Sequence, residues 1–421
     1  MGIGNGIGIS WGKVSMAGGP VVNEAFEFTV KTDNAGTSAA DQFTIPTNGT
    51  GYNYDISTSD GQSISGATGN TTITFPSPGS YTVSITGDFP TINFNNTGDK
   101  LKLTNISNWW SIAWSTFNDA FYGCSNLTIT ATDLPNVSAV TDFFFAFHTC
   151  TSLSGSFDCS SWDLSSVNNI GYMFYRCQQL TDINLSSLNP AVSVYSDGVV
   201  ADCSNLINIT FPVAFKPTSV RYLAQFTPNL STITNVEAWN TSAMTLCTFM
   251  FNGSSFNQNI GSWDTSNVTD TQYMFRSATS FNQNIGSWNT SAVTNMRGMF
   301  QEATSFAGTG SSGGVSSWDT TNVSDMSLMF YDATSFNADI SSWNISSLQN
   351  ADGMLAVTSG TSSFSQVNYD ALLQGWAAQP IVQSNVSLDV TQHFTLSSPA
   401  SASRAVLQNT YNWAITDLGG I

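Results

Sequence analysis

Residues 274–298 read MFRSATSFNQNIGSWNTSAVTNMRG, and the same phrase returns on both sides of this stretch. It begins at Met250 as MFNGSSFNQNIGSWDTSNVTDTQY, at Met299 as MFQEATSFAGTGSSGGVSSWDTTNVSDMSL and at Met329 as MFYDATSFNADISSWNISSLQNADG. The pairs Met250-Phe251, Met274-Phe275, Met299-Phe300, Met329-Phe330 and Met354-Leu355 are spaced 24, 25, 30 and 25 residues apart. A fixed period of this length is read as stacked coils, each too small to bury its apolar face alone. Upstream the frame persists in diverged form, with Phe121, Phe147 and Phe174 in AFYGCSNL, AFHTCTSL and MFYRCQQL, then VVADCSNL and LAQFTPNL. The register predicts about ten coils between Leu101 and Leu355.

Each coil has two legible parts. Leu180, Ile183 and Leu185 follow an L-x-x-L-x-L pattern, which predicts a short strand; Phe281 with Ile285 and Phe336 with Ile340 are later equivalents. Val293, Met296, Met299 and Phe300 have offsets 0, 3, 6 and 7, which predicts a turn of α or 3₁₀ helix. Asp142, Asn169, Asp270, Asn295 and Asp325 stand two positions after the Val that opens that segment, where a side-chain oxygen can cap the helix start by accepting a backbone N–H. Stacking the coils makes a parallel sheet with strands about 4.8 Å apart.

The expected organisation has four parts. Residues 1–19 form a Gly-rich tail. Residues 20–100 alternate apolar and polar residues in EAFEFTV, DQFTIP, YNYDIS, TTITF and SYTVSITG, which predicts a β-domain. Residues 101–356 are the solenoid, and 357–421 a cap with helices near Tyr369–Ala378 and Ser401–Tyr411. The segment SPGSYTVSITG is similar to the closing strands of an immunoglobulin-like or polycystic-kidney-disease-type sandwich. The fold class expected is mainly β: an N-terminal immunoglobulin-like β-sandwich, a leucine-rich-repeat-like solenoid and a helical C-terminal cap.

The repeat, in the form MF-x-x-A-x-SFN-x-x-I-x-SW-[DN]-TS-x-V-x-[DN]-M, resembles the BspA-like leucine-rich-repeat surface protein family. The likeness extends to GDKLKLTNIS before the first coil and to NYDALLQGWAAQ and YNWAITDLG after the last. It implies a surface-displayed binding protein. The opening IGNGIGISWG is similar to the start of some phage structural proteins.

Composition narrows the function classes. Only 9% of the 421 residues are charged, so Ser, Thr, Asn and Gly must supply the polar surface. Ten basic against 28 acidic residues give a net charge of -18, which argues against nucleic acid and against an anionic membrane surface. No apolar run of about 20 residues is present to span a bilayer. Met1–Lys13 has neither a basic region nor an apolar core of the kind that a secretory signal needs.

Candidate chemistry is sparse. Cys124, Cys150, Cys177 and Cys203 are 26, 27 and 26 residues apart, which predicts a buried column of free thiols, with disulfides or a metal as the alternative. Ala278, Ala303 and Ala333 take that place later. His148 beside Cys150 is a conceivable but weak nucleophile pair. Trp162, Trp239, Trp263, Trp288, Trp318 and Trp343 recur once per coil and either stack on one another or bind sugars. Asp163, Asp264 and Asp319 alternate with Asn240, Asn289 and Asn344 in the next position, which favours Asx turns over a calcium column. No catalytic residue, cofactor or resident metal is assigned, and calcium is a minor alternative.

The function expected is non-enzymatic surface attachment or decoration, with a phage virion fibre, spike or decoration subunit ahead of a bacterial cell-surface adhesin and of a glycan-active β-solenoid enzyme. The location expected is the virion surface, or else the extracellular face of a bacterial cell. Expected partners are other virion or surface structural proteins through the N-terminal region, a host glycan or protein receptor, and, as an alternative, further copies of the chain itself in a homo-oligomer. Neither nucleic acid nor membrane insertion is expected. Ile7, Ile9 and Trp11 alternate along an extended segment and are the candidate anchor. The extra residues Gly308, Thr309, Gly310, Ser311, Ser312, Gly313 and Gly314 are the candidate exposed loop.

Overall fold

The computed structural model describes residues 25–110, 112–309 and 314–421. Among the described residues the chain is mainly β, with two α-helices near its end. The candidate anchor Ile7, Ile9 and Trp11 lies outside the described residues, as do Gly310, Ser311, Ser312 and Gly313 of the candidate loop.

The N-terminal part contributes β1 (Phe26–Lys31), β2 (Gln42–Ile45), β3 (Asn53–Thr58), β4 (Ser63–Ala67), β5 (Thr71–Thr74) and β6 (Ser80–Asp88). Their apolar residues alternate inward: Phe26, Phe28 and Val30 from β1, Tyr54 and Ile56 from β3, Val83 and Ile85 from β6. The strands run β4-β3-β6-β1, and β2 pairs with β5 in a second small sheet. The larger sheet does not stop at residue 100. β7 (Leu103–Asn108) pairs antiparallel with β1 and β8 (Thr128–Ile129) pairs parallel with β7, so one sheet crosses into the first coil. Phe26 packs against Trp109 and Trp114, which joins the two cores. Buried Lys102 locks the junction by donating to the carbonyls of Ser38, Ala39 and Gln42, beside the buried carboxylate of Asp99.

From there the chain repeats in coils joined by parallel pairing. β9 (Ser154–Asp158), β10 (Gln179–Asn184), β12 (Asn208–Thr210) and β14 (Thr232–Thr234) form one parallel sheet. β11 (Ser193–Tyr195) and β13 (Lys216–Ser219) belong to a second column, which is otherwise a run of single bridges. That column passes from Asp142 to Asn169 and Tyr195, then from Ser219 to Leu246, Asp270, Asn295, Asp325 and Asn350. The strand expected at every Phe281-Ile285 position is absent after Thr234. Side chains take over there: Asn257 Oδ1 accepts from Asn282 N, and Asn282 Oδ1 accepts from Ala307 N.

The short helix expected in each coil is also not what forms. The segment is a chain of overlapping β-turns. Ala146 N donates to Phe143 O, His148 N to Phe145 O and Cys150 N to Phe147 O, while the intervening N–H groups of Phe143, Phe145, Phe147 and Thr149 donate to the next coil. The third residue of the first turn and of the third has positive φ, as at Phe145 (57°) and Thr149 (63°), which is the type II requirement. The capping residues act as expected, but on turns: Asp142, Asn169, Asp270, Asn295 and Asp325 each accept the backbone N–H two residues on.

Near the end come β15 (Ala351–Leu355), α1 (Gln366–Ala377), β16 (Ser387–Val390), α2 (Pro399–Tyr411) and β17 (Ala414–Thr416). Ser365 and Ser398 cap the two helices. The three strands pair in parallel, β15-β16-β17, so the coil sequence continues through the helical region. Helix α1 even extends the indole column, since Trp376 Nε1 donates to Ile340 O just as the coil tryptophans donate to earlier coils.

Candidate functional site

The cysteines are structural. All six are free and buried. Cys150, Cys177 and Cys203 donate their thiols to Phe121 O, Phe147 O and Phe174 O of the preceding coil. Burial raises the thiols of Cys124, Cys150, Cys159 and Cys177 well above their ordinary value, and raises that of Cys203 to about 12. A thiol so far from ionisation is a poor nucleophile and metal ligand. His148 does not pair with Cys150. It lies on the outer side, its Nδ1 2.6 Å from Thr149 Oγ1, with its ring between Tyr122 and Tyr175. Burial, helped by Arg176, lowers its pKa to about 4.

The tryptophans form an interior column. Trp239, Trp263, Trp288, Trp318 and Trp343 stack with centroids 5.7, 6.3, 6.4 and 6.3 Å apart and planes within 7° of parallel. Trp288 is 5% exposed. The Nε1 groups of Trp263, Trp288, Trp318 and Trp343 donate to Val236 O, Ile260 O, Ile285 O and Val315 O. Within this column the indoles are buried against one another, so Trp263, Trp288 and Trp318 have no face left for a sugar. The residues that follow, Asp163, Asn240, Asp264, Asn289, Asp319 and Asn344, hold Asx turns by accepting the N–H two residues on. Among the described residues no group of three or more His, Cys, Asp or Glu is placed to hold a metal ion.

The two ends of the candidate loop are packed. Gly308 and Gly314 are buried rather than exposed, and Val315 N donates to Gly308 O.

A different surface carries the exposed chemistry. The third residue of the first turn in successive coils is Asp119, Phe145, Tyr172, Gly198, Tyr222, Phe249, Tyr273, Gly298, Leu328 and Gly353, all with positive φ. These side chains project outward on one face. Phe145 contacts Tyr122 and Tyr172, with centroids 5.3 and 5.5 Å away. Tyr222, Phe249 and Tyr273 form a second run at 5.3 and 4.9 Å. Phe226 beside them is 51% exposed, and its ring lies over Gly253. Each run ends at a glycine: a Cβ on Gly198 would strike the Tyr172 ring and a Cβ on Gly298 the Tyr273 ring.

Four of the five arginines stand on this face. Arg176 lies over the Tyr175 ring and pairs with Asp202. Arg221 donates from Nε to Asp197 at 2.7 Å. Arg276 lies 5.6 Å from the Tyr273 centroid and pairs with Glu302. Arg297 donates from Nε to Tyr273 Oη at 2.9 Å. Asp197, fully buried, also accepts from Tyr195 Oη and Arg221 N, and from Ser219 Oγ. It positions a tyrosine and a guanidinium together between the two aromatic runs. Burial, then the charge of Asp197, raises the Tyr172 phenol to about 12.

This band escaped sequence reading because its column mixes Phe, Tyr, Gly, Leu and Asp. The available signal was the clustering of Arg176, Arg221, Arg276 and Arg297 next to aromatic residues in a chain with few cations.

A family model described as "Mycoplasma protein of unknown function, DUF285" matches residues 91–205, 221–312 and 310–395, together more than half of the chain. No curated protein and no solved structure matches it.

Proposed function

Because the chain belongs to the DUF285 family, whose description carries no activity, we propose from the geometry that it is a non-enzymatic attachment or decoration protein. In this reading residues 101–356 are a leucine-rich-repeat-like solenoid of the BspA-like type, set on an immunoglobulin-like base. The N-terminal region holds the chain on a virion or cell, and the coil stack presents a recognition face outward. The observation that carries the reading is the aromatic and arginine band on a stack whose other turns are lined by Ser, Thr and Asn. Aromatic and Arg side chains concentrate where proteins bind partners. Burial of the thiols and removal of His148 from Cys150 support a role without covalent chemistry.

Two measurements test it. Labelled protein should bind intact cells of the natural host and show no turnover of the surface material it binds. Removing Met1 to Lys13 should leave a folded protein that no longer joins its particle or surface. Hydrolysis of the bound material, abolished by replacing one acid, would move the chain to the enzyme class. Normal incorporation of the shortened chain would remove the N-terminal region as the holdfast.

A further inference from the structure

We propose that the turn-face band binds an extended neutral polysaccharide lying along the coil axis; this rests on the attachment reading above and names its ligand class.

The first argument is backbone conformation. Phe145, Tyr172, Tyr222, Phe249 and Tyr273 hold φ between 53° and 58°. Bulky side chains are disfavoured there, and glycine is not. The chain itself shows that rings are not needed for stacking. Gly298 N donates to Ser327 O at 2.8 Å, and Tyr273 N to Arg297 O at 2.9 Å, so the coil-to-coil bond is the same with either residue. Strained residues kept where the scaffold accepts glycine point to a role outside the scaffold.

The second argument concerns what kind of polymer fits. A peptide that adds to a protein surface as a strand needs free backbone donors and acceptors. Here those groups are spent: the N–H groups of Phe249, Phe251 and Gly253 donate to Gln272 O, Met274 O and Arg276 O, and those of Met250 and Asn252 close turns. Recognition must come from side chains. Half-buried rings offer faces and edges to the C–H groups of a pyranose, whose polarised hydrogens suit the negative ring face. Guanidinium and phenol groups fixed by Asp197 and by the Arg297–Tyr273 bond offer pre-set partners for hydroxyls.

The third argument is charge. Three of the four guanidiniums are paired with acids, to Asp202, Asp197 and Glu302. Asp142, Asp270 and Asp325 sit at the start of the same turns. The band has no surplus positive charge, and the whole chain is at -18. A polyanion is repelled; a neutral chain is not.

The test uses the full chain and the triple variant Tyr222→Gly, Phe249→Gly, Tyr273→Gly. The probes are soluble cello-, laminari-, manno- and chito-oligosaccharides of graded length, with hyaluronan as the anionic comparison, read by calorimetry and by retardation in polysaccharide gels. The expected result is binding to at least one neutral series, tighter for longer chains and little changed between about 50 and 500 mM salt. The variant should bind at least about tenfold more weakly, with its melting temperature unchanged or raised. No binding, binding to hyaluronan alone, unchanged binding by the variant, or a fall in the variant's melting temperature would each overturn the proposal. If the variant still attaches to whole cells as the parent does, the site lies elsewhere: the proposal fails and the attachment reading stands.

Discussion

Coils before Thr234 are tied by β9, β10, β12 and β14 and carry a thiol column beside the stacked rings of Phe121, Phe147 and Phe174, whereas coils after Met244 lack those strands and carry an indole column beside their stacked rings. In the first region Cys150, Cys177 and Cys203 reach back to carbonyls of the coil before. In the second, Ala278, Ala303 and Ala333 replace them, and the work passes to Trp Nε1 groups and Asn side chains. Phe251, Phe275, Phe300 and Phe330 stack continuously there at 5.5–5.7 Å. The turn face is the same in both, with alternate N–H groups passed to the next coil. Cohesion at that face is enough to set the register. The opposite side need only fill its volume and pair its buried polar groups, and two chemistries do so.

The sharpest way to break this comparison is to remove a ring. Trp288→Ala deletes a buried indole between Trp263 and Trp318 together with its bond to Ile260 O. The expected loss is about 3–5 kcal/mol, measured by denaturant unfolding. A loss near zero would show that the rings only cover a stack held elsewhere. Cys177→Ala in the first region should cost about 1 kcal/mol, since Phe147 O keeps Cys150 N as a donor. A loss as large as that of Trp288→Ala would erase the distinction between the two fillings.

Acid separates the regions more gently. The native pKa of His148 is lowered to about 4, against 6.5 for the free side chain. Below pH 6.5 the unfolded chain takes up a proton that the native chain refuses until about pH 4. Stability from this residue is therefore complete above pH 6.5, declines between 6.5 and 4, and is level below that. His148→Gln should flatten this segment of the stability-pH curve. Hydrogen exchange should place the change in the coils around Phe145 and leave those around Tyr273 as they were. The smallest effect belongs to Ala278→Cys, which installs the thiol of the first region in the second. It should alter stability by less than about 1 kcal/mol, and a large loss would mean that ring-filled coils are too tight to accept sulfur.

The repeat, the buried cysteine column, the Asx turns and the two helices were legible because each depends on residue type at a fixed spacing. The turn chain was not. Offsets such as Val293, Met296 and Met299 place the same side chains inward whether the backbone is a helix or linked β-turns, since both bring i and i+3 together. Gly198, Gly298 and Gly353 were the clue, because a type II turn wants glycine at its third position. The missing later strands were hidden too. FNQNI and LTDINL both present apolar ends, and the Asn side chains of the first, which take the ladder's place, distinguish them. The band could be recognised only after the turns had fixed which residues face outward.

The indole column also makes the stack an optical object. Five parallel, stacked tryptophans from Trp239 to Trp343, each within 6.4 Å of the next, lie close enough for their transition dipoles to couple. Excitation of one indole should migrate along the row before emission, and because the planes lie within 7° of parallel and each Nε1 from Trp263 to Trp343 makes the equivalent bond, that migration should leave the polarisation of the emission largely intact in a rigid solvent. Because coupling between dipoles falls with the cube of distance, one coil slipping out of register would interrupt the migration, and the emission itself would report where the row is whole.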